Sequence, residues 1–376
     1  MSSTDILTPI PAAETPPFSF ELTPEARAPS ATPAVAPINL HSGTPAKTSE
    51  GQAPVQVVAN PDRNDGPTLV PAAAEQAKAP PAGATRTITI IDGKTGARQE
   101  LSIPATEAPA EEQKFAEASP HGAIPKIAAD GARPAEAFAQ PVKPLPGKPD
   151  APRIAIIVSG LGVSDSASAD AIMKLPGAVT VGFMPYGGDV AALAARARAQ
   201  GHEVLLQVPM EPFDYPGNDP GPQTLLTSLA PQQNIDRLYW LMSRFQGYVG
   251  IANAMGARFT ASEPSFAPIL REAAKRGLIF VDDGSNPRSL AGRIAGDNNL
   301  PFAKADLAID AVPTAGEIDG ALGRLEVAAR ERGVAVGITS ALPVAIEHIG
   351  KWAKALADRG LLLVPITAVA LKPKPS

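Results

Sequence analysis

From Pro152 onward, short apolar runs alternate with segments of helical periodicity. Runs without polar alternation are typical of strands that are covered on both faces. The predicted strands are residues 154–158, 179–183, 203–208, 249–253, 278–282, 306–310, 334–338 and 361–366. Strands joined by helical crossovers predict an α/β fold, here an irregular (β/α) barrel over residues 151–372.

Helix signals fall between these strands. One apolar stripe at i, i+3, i+4 and i+7 spacing consists of Ile235, Leu238, Tyr239, Met242 and Phe245. Thr314 and Glu317 predict a capping box in front of a helix over residues 318–332. A last helix is predicted over residues 343–359, with Gly360 as its stop signal.

The strand at residues 203–208 is expected to end at Pro209, because proline cannot donate a ladder hydrogen bond. In parallel α/β folds, ligands bind at the carboxyl ends of the strands. We therefore expect Gln207, Met210 and Glu211 to lie at a binding rim.

The segment that follows, residues 212–233, fits neither the strand nor the helix period. Long irregular loops within a compact domain are usually functional or mobile. This one is either a lid over the strand ends or a surface loop packed by Phe213 and Tyr215.

Residues 1–150 differ in composition from the rest of the chain. They hold more than half of the 42 prolines but few aromatic side chains: Phe18, Phe20, Phe115 and Phe138. Because little apolar surface is available to offset chain entropy, we predict a disordered, Pro/Ala-rich linker. Within it, residues 86–103 resemble a β-hairpin whose connection is residues 92–96 (DGKTG).

Composition narrows the function classes. A net charge of -5 without a Lys/Arg cluster argues against nucleic-acid binding. The absence of cysteine excludes disulfides and thiolate chemistry. The sequence contains neither an apolar run long enough to span a membrane nor a signal peptide, so we expect either a cytoplasmic protein or one whose upstream anchor is missing from this chain. Protein partners and oligomeric state stay open.

Candidate chemistry is confined to the predicted strand ends. None of the four histidines, at 41, 121, 202 and 348, lies at such an end, so we predict no metal and no cofactor. The alternative is an Mg²⁺ or Ca²⁺ site built only from carboxylates. Its oxygen donors would be Glu211, Asp282, Asp283 and Asp310.

Acid–base and nucleophilic roles have competing structural explanations. Glu211 and Asp282 could face each other across the barrel mouth, but Asp282 or Asp283 could instead cap the turn into residues 285–293. Ser159 follows a strand but has no histidine to activate it. Arg258 could bind an anionic or sugar ligand, or pair with a rim carboxylate.

Several blocks of the chain resemble the divergent polysaccharide deacetylase family of bacteria. They are residues 154–162 (IAIIVSGLG), 175–186 (LPGAVTVGFMPY), 201–212 (GHEVLLQVPMEP), 249–260 (VGIANAMGARFT), 277–283 (GLIFVDD) and 360–366 (GLLLVPI). The resemblance implies a distorted (β/α) barrel, carbohydrate metabolism and a location in the cell envelope or periplasm. It also implies removal of acetyl groups with a divalent metal held by Asp and His.

The chain departs from the family pattern where that chemistry would lie. It has Ser159-Gly160-Leu161-Gly162 for Asp-Asp-Leu-Gly, Gln207 for the His of Leu-His-Leu-Pro-Met, Asn253-Ala254-Met255-Gly256 for Asn-His-Met-Gly, and Gly337-Ile338-Thr339 for Gly-His-Pro. Because these departures remove the implied base and metal ligands, we predict a protein of cell-envelope glycan metabolism without the usual metal site.

The site prediction therefore uses the residues that remain. Catalytic candidates are Glu211, Asp282 and Ser159, and candidates for contact with a glycan or peptidoglycan-related ligand are Gln207, Met210, Asn253, Arg258 and Asp283. The first hypothesis is a carbohydrate-acting hydrolase or deacetylase with a rebuilt site. The alternative is a non-catalytic glycan-binding or envelope scaffold protein.

Overall fold

A computed structural model describes residues 85–91, 98–104 and 110–370, with side chains from residue 112 onward. The predicted linker up to residue 84 lies outside the described residues, as does the turn of the predicted hairpin. The two strands that flank this turn, β1 (Thr85–Ile91) and β2 (Arg98–Pro104), pair antiparallel with Ile88 opposite Leu101.

The described chain beyond this hairpin alternates strands and helices. The strands are β3 (Ala116–Ser119), β4 (Gly122–Pro125), β5 (Arg153–Leu161), β6 (Thr180–Phe183), β7 (Val204–Met210), β8 (Gly250–Met255), β9 (Ile279–Asp282), β10 (Phe302–Lys304), β11 (Leu307–Ala308), β12 (Val334–Ser340) and β13 (Leu362–Leu363). The α-helices are α1 (Ala110–Lys114), α2 (Pro134–Ala137), α3 (Asp165–Lys174), α4 (Val190–Ala199), α5 (Pro231–Met242), α6 (Glu263–Lys275), α7 (Ala291–Asp297), α8 (Ala315–Arg332) and α9 (Pro343–Lys354).

A curled parallel sheet forms the centre of the fold. Its strand order is β10-β9-β8-β7-β6-β5-β12-β11, and β13 pairs with the start of β5. The short link between β10 and β11 joins the two edges, because Ala305 N donates to the Asp282 carbonyl (2.9 Å) and Asp306 N donates to the Val336 carbonyl (2.8 Å). The strands therefore curl into an irregular barrel, which confirms the predicted fold class.

Alternating residues of each strand face two different apolar layers. Ile157, Leu205 and Val281 belong to a small cluster inside the barrel. Their neighbours Ile156 and Leu206 belong to the larger cluster between the sheet and the helices. Burial on both faces explains why the strands read as continuous apolar runs.

Three local predictions need correction. The strand containing Pro209 continues to Met210, because the proline carbonyl accepts a hydrogen bond from Leu225 N (2.9 Å), which requires no proline donor. Thr314 does precede α8, but its side chain makes no capping hydrogen bond. Helix α9 ends at Lys354, and Gly360, with a φ of 74°, ends the turns that follow it.

The predicted strand at residues 306–310 is also wrong in extent. Only Leu307–Ala308 pairs with β12, while Phe302–Lys304, which was not predicted, pairs with β9. The chain shifts from one sheet edge to the other between Lys304 and Leu307, so neither ladder is long enough to give a strand signal.

Residues 112–150, which the composition assigned to the linker, contribute to the core. Phe115, Ile124 and Phe138 are each at most 7% exposed. The rings of Phe115 and Phe138 pack edge-to-face with centroids 5.3 Å apart. A few isolated apolar side chains thus anchor a proline-rich segment, although they are too sparse to form a periodic pattern.

Candidate functional site

The carboxyl ends of the parallel strands form one mouth of the barrel, and the candidate side chains are distributed around it. Ser159 lies near the end of β5, Gln207 lies on β7, Asn253 on β8 and Asp282 at the end of β9. The parallel order of these strands brings residues that are far apart in sequence to a single rim.

Gln207 is hydrogen-bonded across the mouth. Its Oε1 accepts from the backbone N–H of Gly160, and the residue is only 7% exposed. The intervening strand makes room for this contact, because a Cβ at Gly182 would lie 3.2 Å from Gln207 Cγ. Two of the positions where the family resemblance implies metal chemistry are therefore adjacent and are bonded to each other.

Ser159 and Ser340 are register partners on β5 and β12. The Ser159 hydroxyl donates to the Thr339 carbonyl at 2.9 Å. Asp310 binds Ser340 through the same carboxylate oxygen, which accepts from Ser340 N (2.9 Å) and from the Ser340 hydroxyl. Ser159 is thus bonded to the main chain, and each of the three described histidines is bonded to another group.

Asn253 connects β8 with the loop after β9. Its Oδ1 accepts from Asp283 N (2.9 Å), and its Nδ2 donates to the Met255 carbonyl (2.8 Å). Met255 has a φ of 58°, which is unusual for a residue other than glycine, and its side chain is 43% exposed. The amide therefore holds the end of β8 in a strained conformation that presents Met255 to solvent.

The two adjacent aspartates act mainly on the turn that follows β9. Asp282 is buried, and its Oδ1 accepts from Gly284 N at 2.9 Å. Asp283 accepts from Ser285 N (2.9 Å) and from the Ser285 hydroxyl (2.7 Å). Burial raises the pKa of Asp283 above its ordinary value, and the charge of Asp282 adds to this, while hydrogen bonds from Asn253 and Ser285 partly offset it.

Glu211 is committed to protein partners on both of its oxygens. Oε2 accepts from Thr227 N (2.6 Å) and the Thr227 hydroxyl (2.7 Å), and Oε1 lies 3.3 Å from Arg258 Nη1. Because the carboxylate is only 6% exposed, these bonds fasten the loop after β7 to the segment after β8. Met210 is fully buried among the helix-facing core residues, which leaves it no surface for a ligand.

The loop over residues 212–230 is attached at several points besides Glu211. The Arg258 Nη2 donates to the Phe213 carbonyl (2.8 Å), and Asn234 bonds both backbone groups of Leu226 (3.0 and 2.9 Å). Gly221 lies against Tyr186 so closely that a Cβ at Gly221 would be 2.4 Å from the tyrosine ring. These contacts favour the packed surface loop among the two predicted alternatives, and Phe213 is 47% exposed at its edge.

The donor set at the mouth does not fit a divalent cation. Among the residues that the structure describes, no three His, Cys, Asp or Glu side chains lie close enough together to hold a metal ion. His202 lies at the opposite end of β7, where its two ring nitrogens face the carbonyls of Val179 (2.7 Å) and Ile172 (3.1 Å). His348 pairs with Asp319 on α8.

Sequence reasoning missed the partners that fix these residues. Thr227 binds Glu211 from 16 residues away, and Asp310 binds Ser340 from 30 residues away. Asn286 and Arg288, in the loop after β9, were also missed. No local spacing signals contacts of this range. For Asn286 and Arg288, the one available signal was the Asn-Pro-Arg stretch in a loop after a predicted strand, because such loops often carry binding residues.

Fold and mouth together define an α/β barrel of the polysaccharide deacetylase type. The sequence pattern of the divergent polysaccharide deacetylase family matches residues 156–370, which is more than half of the chain. The chain therefore belongs to this family, and the resemblance noted from its sequence blocks is confirmed. Membership suggests a function related to carbohydrates.

Among solved structures, uncharacterized protein ATU2773 from Agrobacterium tumefaciens C58 is 42% identical with a TM-score of 0.64, covering 66% of this chain and 99% of that one. An uncharacterized protein of Haemophilus influenzae is 26% identical over 148 residues, 39% of this chain and 52% of that protein. The uncharacterized protein YibQ of Escherichia coli K12 is 23% identical over 195 residues, 52% of this chain and 60% of that protein. The matched part thus spans little more than half the length of these last two relatives.

None of the helices in the described part of the chain combines the length and the apolar character needed to cross a bilayer.

Proposed function

We propose that the barrel mouth binds a glycan of the cell envelope and does not carry out metal-dependent deacetylation. The observation that carries this proposal is the bond between Gln207 and the Gly160 N–H. An amide that is used to satisfy a backbone donor replaces a metal ligand at this position, and its neighbour Ser159 is bonded to a carbonyl.

The groups around this bond suit the recognition of sugars. Asp283 is a desolvated carboxyl at the rim, Asn253 holds its loop, and apolar surface is exposed by Met255 at the end of β8 and by Phe213 after β7. Sites of this kind combine apolar contact with a few fixed polar groups. The geometry gives the rebuilt hydrolase less support, because Glu211 and Asp282 are buried and hydrogen-bonded to the protein itself.

The test uses an N-acetylglucosamine oligosaccharide with the purified full chain. We expect calorimetry to detect binding, and we expect no release of acetate with or without added zinc. Asp283→Ala is expected to weaken binding. The control is Asp358→Ala, which removes an exposed carboxylate from the turns after α9 and is expected to leave binding unchanged. Zinc-dependent acetate release would overturn the non-catalytic proposal, and absence of binding would overturn the glycan-binding one.

A further inference from the structure

Two arginines from different loops converge on one exposed aromatic residue. Arg258, after β8, donates from Nη2 to the Phe213 carbonyl (2.8 Å), while the guanidinium carbon of Arg288, after β9, lies 5.1 Å from the centroid of the Phe213 ring. Phe213 itself follows β7. We call these three residues the Phe213 patch, and all three are exposed.

The position of Arg288 is set by a buried amide. Asn286 is 4% exposed, and its Nδ2 donates to the Ala257 carbonyl (2.9 Å) and to Thr260 Oγ1 (3.0 Å). Its Oδ1 accepts from the backbone N–H of Arg288 (3.0 Å). The loop that carries Arg288 is therefore fixed against the segment that carries Arg258, so the patch is preorganised.

The charges of the two arginines are used differently. Arg258 has a partner in Glu211, at 3.3 Å. Arg288 forms no ion pair with any carboxylate in the described part of the chain. Apart from Glu211, the acidic residues nearest in sequence to Phe213 and to Arg288 are Asp214 and Asp283. Neither forms an ion pair with a described residue, and Asp283 is bonded to Ser285. One guanidinium at the rim therefore lacks an anionic partner.

We propose that the Phe213 patch makes the mouth selective for glycans that carry carboxylates, such as uronic acid residues. A guanidinium presents a planar pair of donors that matches a carboxylate, and Phe213 adds apolar contact with the sugar ring beside it. This inference rests on the proposed glycan-binding function and adds the class of ligand to it.

The experiment compares a uronic acid oligosaccharide with the same oligosaccharide after reduction of its carboxylates to primary alcohols. We expect the full chain to bind the acidic form about tenfold more tightly, which is the scale of one charge-assisted hydrogen-bond pair. Arg288→Gln should remove this difference, and Arg288→Lys should restore only part of it, because lysine keeps the charge without the paired donors. Arg324→Gln, at an exposed position on α8, is the matched control and should change nothing.

The outcomes separate this inference from the proposed function. Equal affinity of the wild-type chain for both oligosaccharides, or an unchanged preference in Arg288→Gln, would overturn selectivity through Arg288 while leaving glycan binding in place. Failure to bind either oligosaccharide would overturn the selectivity, and failure to bind the N-acetylglucosamine oligosaccharide as well would overturn the proposed function. Because Arg288 is exposed, the thermal melt of Arg288→Gln is expected to match that of the wild type. A loss of preference in a variant of equal stability is then caused by the missing guanidinium.

Discussion

Gln207 and Gly160 lie 47 residues apart in sequence, and the side-chain oxygen of the first accepts a hydrogen bond from the backbone N–H of the second. The bond crosses the mouth from β7 to β5 and passes over Gly182 on β6, where the absence of a side chain leaves room for it. It therefore links two strands that are not neighbours in the sheet, at the positions where the family pattern would carry metal ligands.

Replacing Gln207 with Ala should destabilise the protein by about 1–3 kcal/mol, because the half-buried N–H of Gly160 loses its partner. Urea unfolding measures this change. Gln200→Ala removes an exposed glutamine side chain that makes no hydrogen bond to a described residue, and this variant should stay within about 0.5 kcal/mol of the wild type. Equal stability of the two variants would mean that water replaces the Gln207 oxygen without loss.

How far the sequence predicts this arrangement depends on the range of the contact. The strands follow from local composition, since Ile154 to Val158 is apolar at every position and is buried on both faces. The Gln207 bond does not follow, because it requires the order of strands in the sheet and the absence of a side chain at residue 182. The end of the strand near Pro209 located the rim, whereas the partners of Gln207 depend on the three-dimensional order of the strands.

The same limit applies to Glu211. Its position after a strand suggested chemistry, and the alternative pairing of Arg258 with a rim carboxylate was already apparent from the sequence. The bonds to Thr227 could not be foreseen, because that residue lies in a segment without periodicity. Because both carboxylate oxygens of Glu211 are bonded to the protein, its main role is to hold the loop after β7 in place.

Glu211→Ala should therefore loosen the loop over residues 212–230 and cost about 2–3 kcal/mol, the range for lost hydrogen bonds to a charged group. We expect limited proteolysis to cut within this loop in the variant faster than in the wild type. Arg258→Ala should cost about 1 kcal/mol or less, because that side chain is 45% exposed. Equal protease resistance of Glu211→Ala and the wild type would show that the other attachments of the loop suffice.

Glu203, at the amino-terminal end of the barrel, should make stability depend on pH. Burial raises the pKa of its carboxyl, although the hydroxyl and N–H of Thr367 and the N–H of Gln140 bind it and partly offset the shift. An acid whose pKa is raised by folding binds protons more readily in the folded state. Its contribution to stability is therefore complete below the unfolded pKa of about 4.3 and is lost as the pH rises toward the folded value.

Glu203→Gln should flatten this decline, since the amide does not ionise. The measurement is the urea midpoint of both proteins at a series of pH values from acidic to neutral. The slopes of midpoint against pH are compared, because the amide also changes the hydrogen bonds to Thr367 and so shifts the midpoint at every pH. Parallel curves for the two proteins would contradict a raised pKa at Glu203.

Asn253 gives the sharpest test of whether the mouth is preorganised. Its side chain donates to the Met255 carbonyl and accepts from Asp283 N, so one amide fixes both the strained end of β8 and the loop that carries the desolvated carboxyl. Asn253→Asp keeps the size and the acceptor, removes the donor and adds a carboxylate at a buried position beside Asp283. Asn253→Ala removes both.

We expect Asn253→Ala to cost about 2–3 kcal/mol, because it leaves the N–H of Asp283 without its partner. Asn253→Asp should cost at least as much, because its carboxylate is buried without a cationic partner. If the mouth binds a glycan as proposed, Asn253→Ala should also weaken that binding about tenfold, because the ligand must order the rim of the variant when it binds. The affinity is measured at a temperature where the variant is folded. Hydrogen exchange at Asp283 and Met255 measures the ordering directly: faster exchange at both amides with weaker binding is the expected pair of results. Unchanged exchange together with unchanged affinity would show that the strain at Met255 is held by the sheet rather than by Asn253.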